Sequence, residues 1–548
     1  MKAALWILFC VLLAGLARTH NLRDVFIDGQ IYFVDADCYS RMTRARAVAV
    51  DGAGVVRHHL FENYPEGTEP HTTAPLDYLI VGVQCVLDLG FRVFEPQQTS
   101  ILRGQTLDLA GALVSPLLGM FTCGFLGLWA TTRRLCSEGD APARLRCWGL
   151  APLFFAISPV LVHGTVLGRP DHQSLLLALV AVALCAELAL VERSSRHWSI
   201  VAGVAWALSL WVSLYEPLLL LLTSLALWLG FDRRPFWTAD RRVGLACGLA
   251  VLTLALLVEG WRFHWPDAAL REAFLRWKQT IGELNHLDLR SPLLFQWLGW
   301  GVLGAPAIFF LSRREDLRVI PLGILLLVTL GLTFSQLRWG YFLALIFALT
   351  LPWQAIRFKR PWLVWLAFCA LLWPMLRDWD EQLFPNSNAQ RQLTLQRREA
   401  VLLRQLAARM SGPEEQPFLA PWWLSPPLAY WSGQPGVAGS SHQSLPGILD
   451  SASFYLSDEF PKAAAILRER KVRWVIADEA SRAINTSALL LGVAPPLRPL
   501  ALILAEEPQL APDYLQSIDD PARVAGEFRI EEPQFYRLYR VNGAKVHP

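Results

Sequence analysis

The chain is 548 residues long, 53% hydrophobic and only 18% charged, with 23 tryptophans and a mean hydropathy of +0.33. Its 50 basic and 47 acidic residues leave a formal net charge of +3, which excludes the strongly basic surface of a nucleic-acid-binding protein. Such a composition belongs to a polytopic membrane protein, and the placement of the charges carries its topology.

A spanning helix needs about 20 mainly apolar residues. In chain order the candidates are 3–18, 106–131, 147–162, 173–191, 198–214, 216–231, 243–260, 292–311, 318–335, 338–356 and 361–377. The first opens on Lys2 and has the apolar core of a signal peptide. Arg18, Thr19 and His20 follow that core in place of a small-x-small exit, so the segment is expected to be retained. The run PLDYLIVGVQCVLDLGF, 75–91, holds Asp77 and Asp88. Two unpaired acids inside a span would cost about 2.5–3.5 kcal/mol each, so this run reads as an interfacial or docked helix.

With the N-terminus in the cytoplasm, every inner loop is basic: Arg133, Arg134, Arg144 and Arg146; Arg193 and Arg196; Arg233, Arg234, Arg241 and Arg242; Arg313, Arg314 and Arg318; Arg357, Lys359 and Arg360. The outer side then receives 19–105, 163–172, 214–216, 261–291, 336–338 and everything from 378 onward. The expected organisation is a transmembrane domain, 1–377, with large outer loops 19–105 and 261–291, followed by a soluble domain, 378–548, on the outer face of the cell membrane. In the latter, EFPKAAAILRERKVRWVIADE gives a helical pattern over 459–470 and a strand-like one over 472–478, a mixed α/β signature. Nine cysteines without a CxxC argue against a zinc site. Five lie in spans and Cys136 and Cys147 fall on the inner side. Cys38 and Cys85 share the outer compartment, where one disulfide is open to them without being required.

This topology brings polar residues of three outer loops to one membrane boundary. YFVDADCYSRMTRA supplies Asp35 and Asp37, HGTVLGRPDHQS supplies Asp171 and His172, and RWKQTIGELNHLDL supplies Glu283; Arg338, in SQLRWGYF, opens a span from the same side. Taken singly, each is what any helix end carries. Together they suit metal-assisted group transfer, since hard divalent cations take carboxylate oxygens, keep positions open for substrate and offset charge on a departing phosphate. An arginine beside them holds a phosphate bidentately. A lipid-linked phosphosugar fits this boundary, with its isoprenoid tail in the bilayer and its sugar outside.

These stretches, in this order, resemble the oligosaccharyltransferase catalytic subunits, most closely the archaeal and bacterial single-subunit type. DADCYSRMTRA with FENYPEGTEPHTTAPLDYLI is similar to their first outer loop, GRPDHQ to the second acidic motif, TIGE to the TIxE motif and LRW to the diphosphate-binding arginine. The resemblance implies a GT-C fold with about 11–13 spans. It also implies inverting, single-displacement transfer of a glycan from a polyprenyl phosphate or diphosphate to a protein acceptor, with manganese or magnesium as cofactor. Carried over, Asp37 is the catalytic aspartate and a metal ligand, Asp171 the second ligand, Asp35 and His172 assisting ligands, Glu283 a catalytic and acceptor-binding group, and Arg338 the donor-phosphate residue. Trp422 and Trp423 would contact the acceptor.

Two positions depart from the pattern. Gln173 stands where the second motif places a further acid or histidine, and PWWLSPPLAYWSGQPG has Leu424 where the WWDYG motif has its aspartate. A leucine accepts no hydrogen bond from an acceptor hydroxyl. A second enzymatic reading is therefore a GT-C transferase that uses a polyprenyl-monophosphate sugar to modify a lipid or polysaccharide. From other classes come a membrane transporter and an inactive binding relative. A transporter would bring internal repeats and mid-membrane charges; no repeat is visible, and Glu187 and Glu259 lie near span ends.

Overall fold

A computed structural model describes residues 2–70, 74–94, 105–131, 149–231, 237–260, 268–288, 290–304, 319–355, 360–518 and 536–546. Arg133, Arg134, Arg144, Arg146, Arg233, Arg234, Arg313, Arg314, Arg318, Arg357 and Lys359 lie outside these residues, as do Cys136, Cys147 and the 305–311 end of one expected span. The chain divides into two compact units. One comprises Met1–Phe26, Thr72–Trp261 and Glu283–Gln390; the other comprises Ile27–His71, Arg262–Gly282 and Arg391–Pro548.

The first unit is helical. Its helices Lys2–Arg18, Thr106–Thr131, His172–Glu192, Arg196–Val212, Tyr215–Phe231, Ala239–Glu259, Val319–Ser335, Gly340–Ala355 and Pro361–Leu383 follow the apolar runs of the sequence. Among the described residues, Thr106–Thr131, His172–Val191 and Ala239–Glu259 are each long and apolar enough to cross a membrane. The expected span at 147–162 is instead two helices, Leu150–Ile157 and Pro159–His163, with Ser158 extended between them. Pro159 is the reason, because its ring disfavours helical backbone at the residue before it. The 292–311 run likewise breaks, ending a first helix, Leu293–Leu298, at Gly299 with φ +61°. The run holding Asp77 and Asp88 forms the helix Pro75–Phe94.

Small residues set one close helix crossing. A Cβ added to Gly203 would lie 2.0 Å from the Gly244 carbonyl oxygen, and one on Gly244 would lie 2.1 Å from that of Ser199. The helices Arg196–Val212 and Ala239–Glu259 thus touch backbone to backbone, as helices in lipid do when glycines line their contact. The two acids near span ends are both answered. Glu187 takes a bidentate pair from Arg241 at 3.0 and 2.7 Å, while Glu259 accepts from Trp211 Nε1 and from Ala74 N, each at 2.8 Å. Arg18, at the end of the first helix, is wholly buried and donates to Thr165 Oγ1 at 2.7 Å and to the carbonyls of Ala14, Ala156 and Phe155 at 3.1, 3.2 and 3.3 Å. Gly119 leaves the room it occupies.

The second unit is mixed α/β. Strands β1 (Phe418–Leu419), β2 (Trp474–Ala477), β3 (Leu515–Ile518) and β4 (Arg537–Val541) form one sheet in the order β1-β2-β4-β3. β1 runs parallel to β2, and the remaining pairs are antiparallel. The helical pattern at 459–470 is the helix Phe460–Glu469, and the strand-like run after it is β2. Leu419, Phe454, Leu467, Val475 and Tyr539 form the centre of its core. The helix Ala36–Ala49, which carries the first acidic motif, packs in this unit on the helix Ser425–Ser432; Arg46 lies over the Tyr430 ring at 3.8 Å and donates to its carbonyl at 2.6 Å. Cys38 is buried, Cys85 is exposed, and neither is in a disulfide.

Candidate functional site

Asp171 sits at the residue before the His172–Glu192 helix, with extended backbone at φ −105°, ψ 147°. The turn leading to it needs Gly168, whose φ is +75° and whose N–H donates to the Ala112 carbonyl at 3.0 Å. Ser115 and Ser174 complete the hold: Ser115 donates to the Arg169 carbonyl, and Ser174 Oγ to that of Asp171 at 2.8 Å. The Asp171 carboxylate does not cap the helix. It meets the His172 ring instead, Oδ1 to Nδ1 at 2.6 Å, with Arg169 Nη2 3.9 Å from Oδ2. Arg169 in turn donates to His163 Nε2 at 3.0 Å, and His163 Nδ1 lies 2.9 Å from the Tyr341 hydroxyl. Gln173 is fully buried with neither end of its amide hydrogen-bonded among the described residues.

Arg338 lies in the 3₁₀ turn Leu337–Trp339, between the helices Val319–Ser335 and Gly340–Ala355. Its register is fixed on one side by Trp339, which is fully buried against Tyr215 and Phe342. On the other side, a Cβ on Gly340 would meet the Trp297 ring at 2.4 Å. Arg338 Nη2 is 2.6 Å from Glu216 Oε1, and Nη1 is 4.0 Å from Glu283 Oε1. Glu283 is brought there by two backbone bonds that zip its loop to the helix end, Leu287 N to the Phe334 carbonyl at 3.1 Å and Leu337 N to that of Asn285 at 3.0 Å. Burial pushes the Glu283 carboxyl above the usual glutamate range; Arg338 draws it down, and Asp171 pushes it up again. Three of the four sequence-predicted residues of this unit, Asp171, Glu283 and Arg338, therefore feel one another's charge, and His172 adjoins Asp171.

In the second unit, Asp35 is the N-cap of the helix Ala36–Ala49, its Oδ1 accepting from Cys38 N at 3.0 Å. Asp37 stands exposed in the first turn, where the helix dipole favours an acid. Ser40, one turn on, donates to the buried Glu62, which also accepts from Ser441 Oγ at 2.9 Å. Trp422 meets Trp277 edge-on with centroids 6.0 Å apart, and Trp423 donates its indole N–H to Asp478 Oδ2 at 3.0 Å beneath the Arg482 guanidinium. Leu424 is 5% exposed and belongs to a cluster with Phe418, Leu428 and Ile476.

Among the described residues, no three His, Cys, Asp or Glu side chains gather as a ready metal cluster. Asp171 and His172 nonetheless place an oxygen and a nitrogen donor 2.6 Å apart, and both are ligand types that a divalent cation takes. The sequence reading missed Glu216, Arg169 and Asp478. Glu216 had a signal, an acid directly before a proline-led apolar run of more than a dozen residues. Asp478 had none, because only the pairing of β1 with β2 brings it to the tryptophans.

No protein-family model matches the chain, and no curated protein matches it. Solved structures do. The chain is similar to the Archaeoglobus fulgidus oligosaccharyltransferase in complex with Zn and sulfate, at 16% identity and a TM-score of 0.67, over 93% of this chain and 71% of that one. Against AglB from the same organism, in complex with an inhibitory peptide and a dolichol-phosphate, the values are 15%, 0.65, 90% and 71%. Against apo ArnT from Cupriavidus metallidurans they are 13%, 0.54, 100% and 98%. At these identities the likeness is one of fold, and the chain has the GT-C fold of membrane glycosyltransferases, with a C-terminal α/β part.

Proposed function

We propose that this protein is a membrane glycosyltransferase that moves a sugar or oligosaccharide from a polyprenyl phosphate or diphosphate to an acceptor, a protein in the first instance. The observation that carries the reading is the cluster of Asp171, His172, Glu283 and Arg338 inside a GT-C fold. Its support from relatives is that one oligosaccharyltransferase structure of like fold is a complex with a dolichol-phosphate and another carries a tethered acceptor peptide. In this reading the spans lie within 1–377, and 378–548 stands on the outer face of the cell membrane together with the outer loops.

The residues divide the work by their chemistry. Arg338 takes phosphate oxygens through its planar fork of N–H donors. Glu283, in the first unit, accepts hydrogen bonds from the acceptor group and orients it for direct, inverting attack at the anomeric carbon, and Asp37, in the second, is a carboxylate suited to the same role. Trp422 and Trp423 offer the acceptor an apolar wall. In the first unit Asp171, assisted by His172, and in the second Asp37, assisted by Asp35, are the residue types that take a divalent cation, manganese or magnesium; the zinc in the Archaeoglobus enzyme supports a metal of this charge. When bound, such an ion supplies charge neutralisation at the departing phosphate.

A second reading, in which a polyprenyl-monophosphate sugar modifies a lipid or polysaccharide, is favoured by the burial of Leu424 in a hydrophobic cluster, where an acid that reads acceptor hydroxyls would otherwise stand. Both readings meet the same test: release of sugar from polyprenyl diphosphate oligosaccharides and polyprenyl monophosphate sugars by purified protein, with manganese or magnesium against EDTA, and with Asp37→Ala. Metal- and Asp37-dependent release from one donor class is the expected result and identifies that class. No release from either, by folded protein, overturns the transferase reading in favour of binding or transport.

A further inference from the structure

Glu216 stands in the first turn of the Tyr215–Phe231 helix and is fully buried, yet no motif in the sequence contains it. Its Oε1 lies 2.6 Å from Arg338 Nη2, and its Oε2 accepts from Ser213 Oγ at 3.1 Å. A carboxylate withdrawn from water is costly to keep unless a cation answers it, so residues 216 and 338 hold each other. Next to this pair, the Tyr215 ring meets Trp339 edge-on with centroids 5.8 Å apart. Two consecutive residues of one helix start thus clasp two consecutive residues of the 3₁₀ turn. The clasp fixes Arg338 both along its backbone and at its guanidinium head.

The clasp also determines which donors remain. Glu216 Oε1 stands against Nη2 at 2.6 Å, an ion pair by distance whose angle falls outside hydrogen-bond geometry. Glu283 Oε1, at 4.0 Å from Nη1, is beyond hydrogen-bond length, which leaves Nη1 open; Nε is buried, without a hydrogen-bond partner among the described residues. A guanidinium held at one nitrogen keeps its remaining N–H groups in a fixed plane, so Nη1 is aimed in one direction and can donate to a phosphate oxygen without being reoriented. His172 and Asp171 bear electrostatically on the same arginine, so the open Nη1 belongs to the charged site and not to a distant tie.

We propose that Glu216 is a positioning residue for the donor phosphate: it anchors Arg338 through Nη2 so that Nη1 is presented, preorganised, to a phosphate oxygen of a polyprenyl phosphate. This inference rests on the polyprenyl-phosphate reading above. A merely structural ion pair would stabilise the helix start without bearing on which lipid binds.

The experiment uses the full chain in lipid nanodiscs and reads tryptophan fluorescence on titration with decaprenyl phosphate and with decaprenol, which has the same tail without the phosphate. Glu216→Gln is expected to weaken decaprenyl phosphate binding at least about tenfold while leaving decaprenol unchanged, and Glu216→Asp to restore most of the loss. In an Arg338→Gln background, adding Glu216→Gln is expected to cost nothing further, since the partner through which it acts is gone. That charge-free double variant also keeps the test available if Glu216→Gln alone leaves a misfolded protein. Wild-type discrimination between the two lipids with Glu216→Gln binding equally well, or losses that multiply in the double variant, overturns the positioning role alone. A wild-type protein that does not distinguish decaprenyl phosphate from decaprenol overturns the donor reading and this inference together.

Discussion

Trp423 donates its indole N–H to the carboxylate of Asp478 at 3.0 Å, across 55 positions of sequence. The two residues meet because β1 and β2 are parallel neighbours, so the segments that follow them, 420–424 and 478–479, leave the sheet at the same edge. An acid therefore stands beside the tryptophan pair even though Leu424 does not supply one. A hydrogen bond to a charged partner is worth about 1.5–3 kcal/mol. Asp478→Ala is expected to raise KM for an acceptor peptide roughly tenfold, with donor KM unchanged, in steady-state transfer assays. An unaltered acceptor KM would remove Trp423 from the acceptor site.

Leu424→Asp tests the opposite intuition, that restoring an acid in the tryptophan motif restores acceptor recognition. Residue 424 is packed with Phe418, Leu428 and Ile476, and its backbone begins the Ser425–Ser432 helix. A carboxylate there is buried among apolar side chains, at a cost on the order of 3 kcal/mol or more. The expected outcome is a lower midpoint in thermal unfolding and no gain in peptide affinity by titration.

With the role proposed for Glu283, the reaction acquires a pH dependence with a definite sign. Its carboxyl is raised above its ordinary 4.5 chiefly by burial. If the carboxylate orients the acceptor, kcat/KM falls as pH is lowered through that raised pKa, and Glu283→Gln lacks this acidic limb along with most of the activity. For stability the sign is reversed. A carboxyl whose pKa is higher folded than unfolded contributes stability below the unfolded pKa and loses it as pH rises through the folded one. At neutral pH, Glu283→Gln is thus expected to unfold no earlier than the wild type in a thermal melt.

Gly203 and Gly244 predict a purely structural effect. With a Cβ only 2.0–2.1 Å from backbone oxygens, Gly203→Val or Gly244→Val must force the two helices apart. Overpacking of this kind costs about 1–3 kcal/mol. The expected result is reduced yield of folded protein and an earlier thermal transition in detergent, with donor affinity unchanged in the fraction that folds.

The parts of this architecture that the sequence disclosed are those governed by local rules. Apolar length located the helices Thr106–Thr131, His172–Glu192 and Ala239–Glu259, and alternating patterns located β2 beside the helix Phe460–Glu469. Motif order located Asp171, Glu283 and Arg338, which the fold brings into electrostatic contact. The rest depended on partners far away in the chain. Glu216 is an ordinary helix-start acid until Arg338, 122 positions later, is placed against it. Asp478 is an ordinary strand-end acid until β1 pairs alongside. The break at Ser158 was legible in principle, since Pro159 follows it, but the apolar run outweighed the proline in a reading by hydropathy.

Arg18 gives the molecule a history as well as a structure. Its acceptors Phe155, Ala156 and Thr165 lie 137, 138 and 147 residues further along the chain. At synthesis rates of about 5–20 residues per second, the guanidinium is made roughly 7–30 s before the groups that will satisfy it. During that interval the first helix holds a cation at its end with only the Ala14 carbonyl of its own turn to receive it. Its final seat is therefore taken late, when the Pro159–His163 turn and Thr165 have arrived, and the same event completes the wall from which the Gly168 turn carries Asp171 to its place.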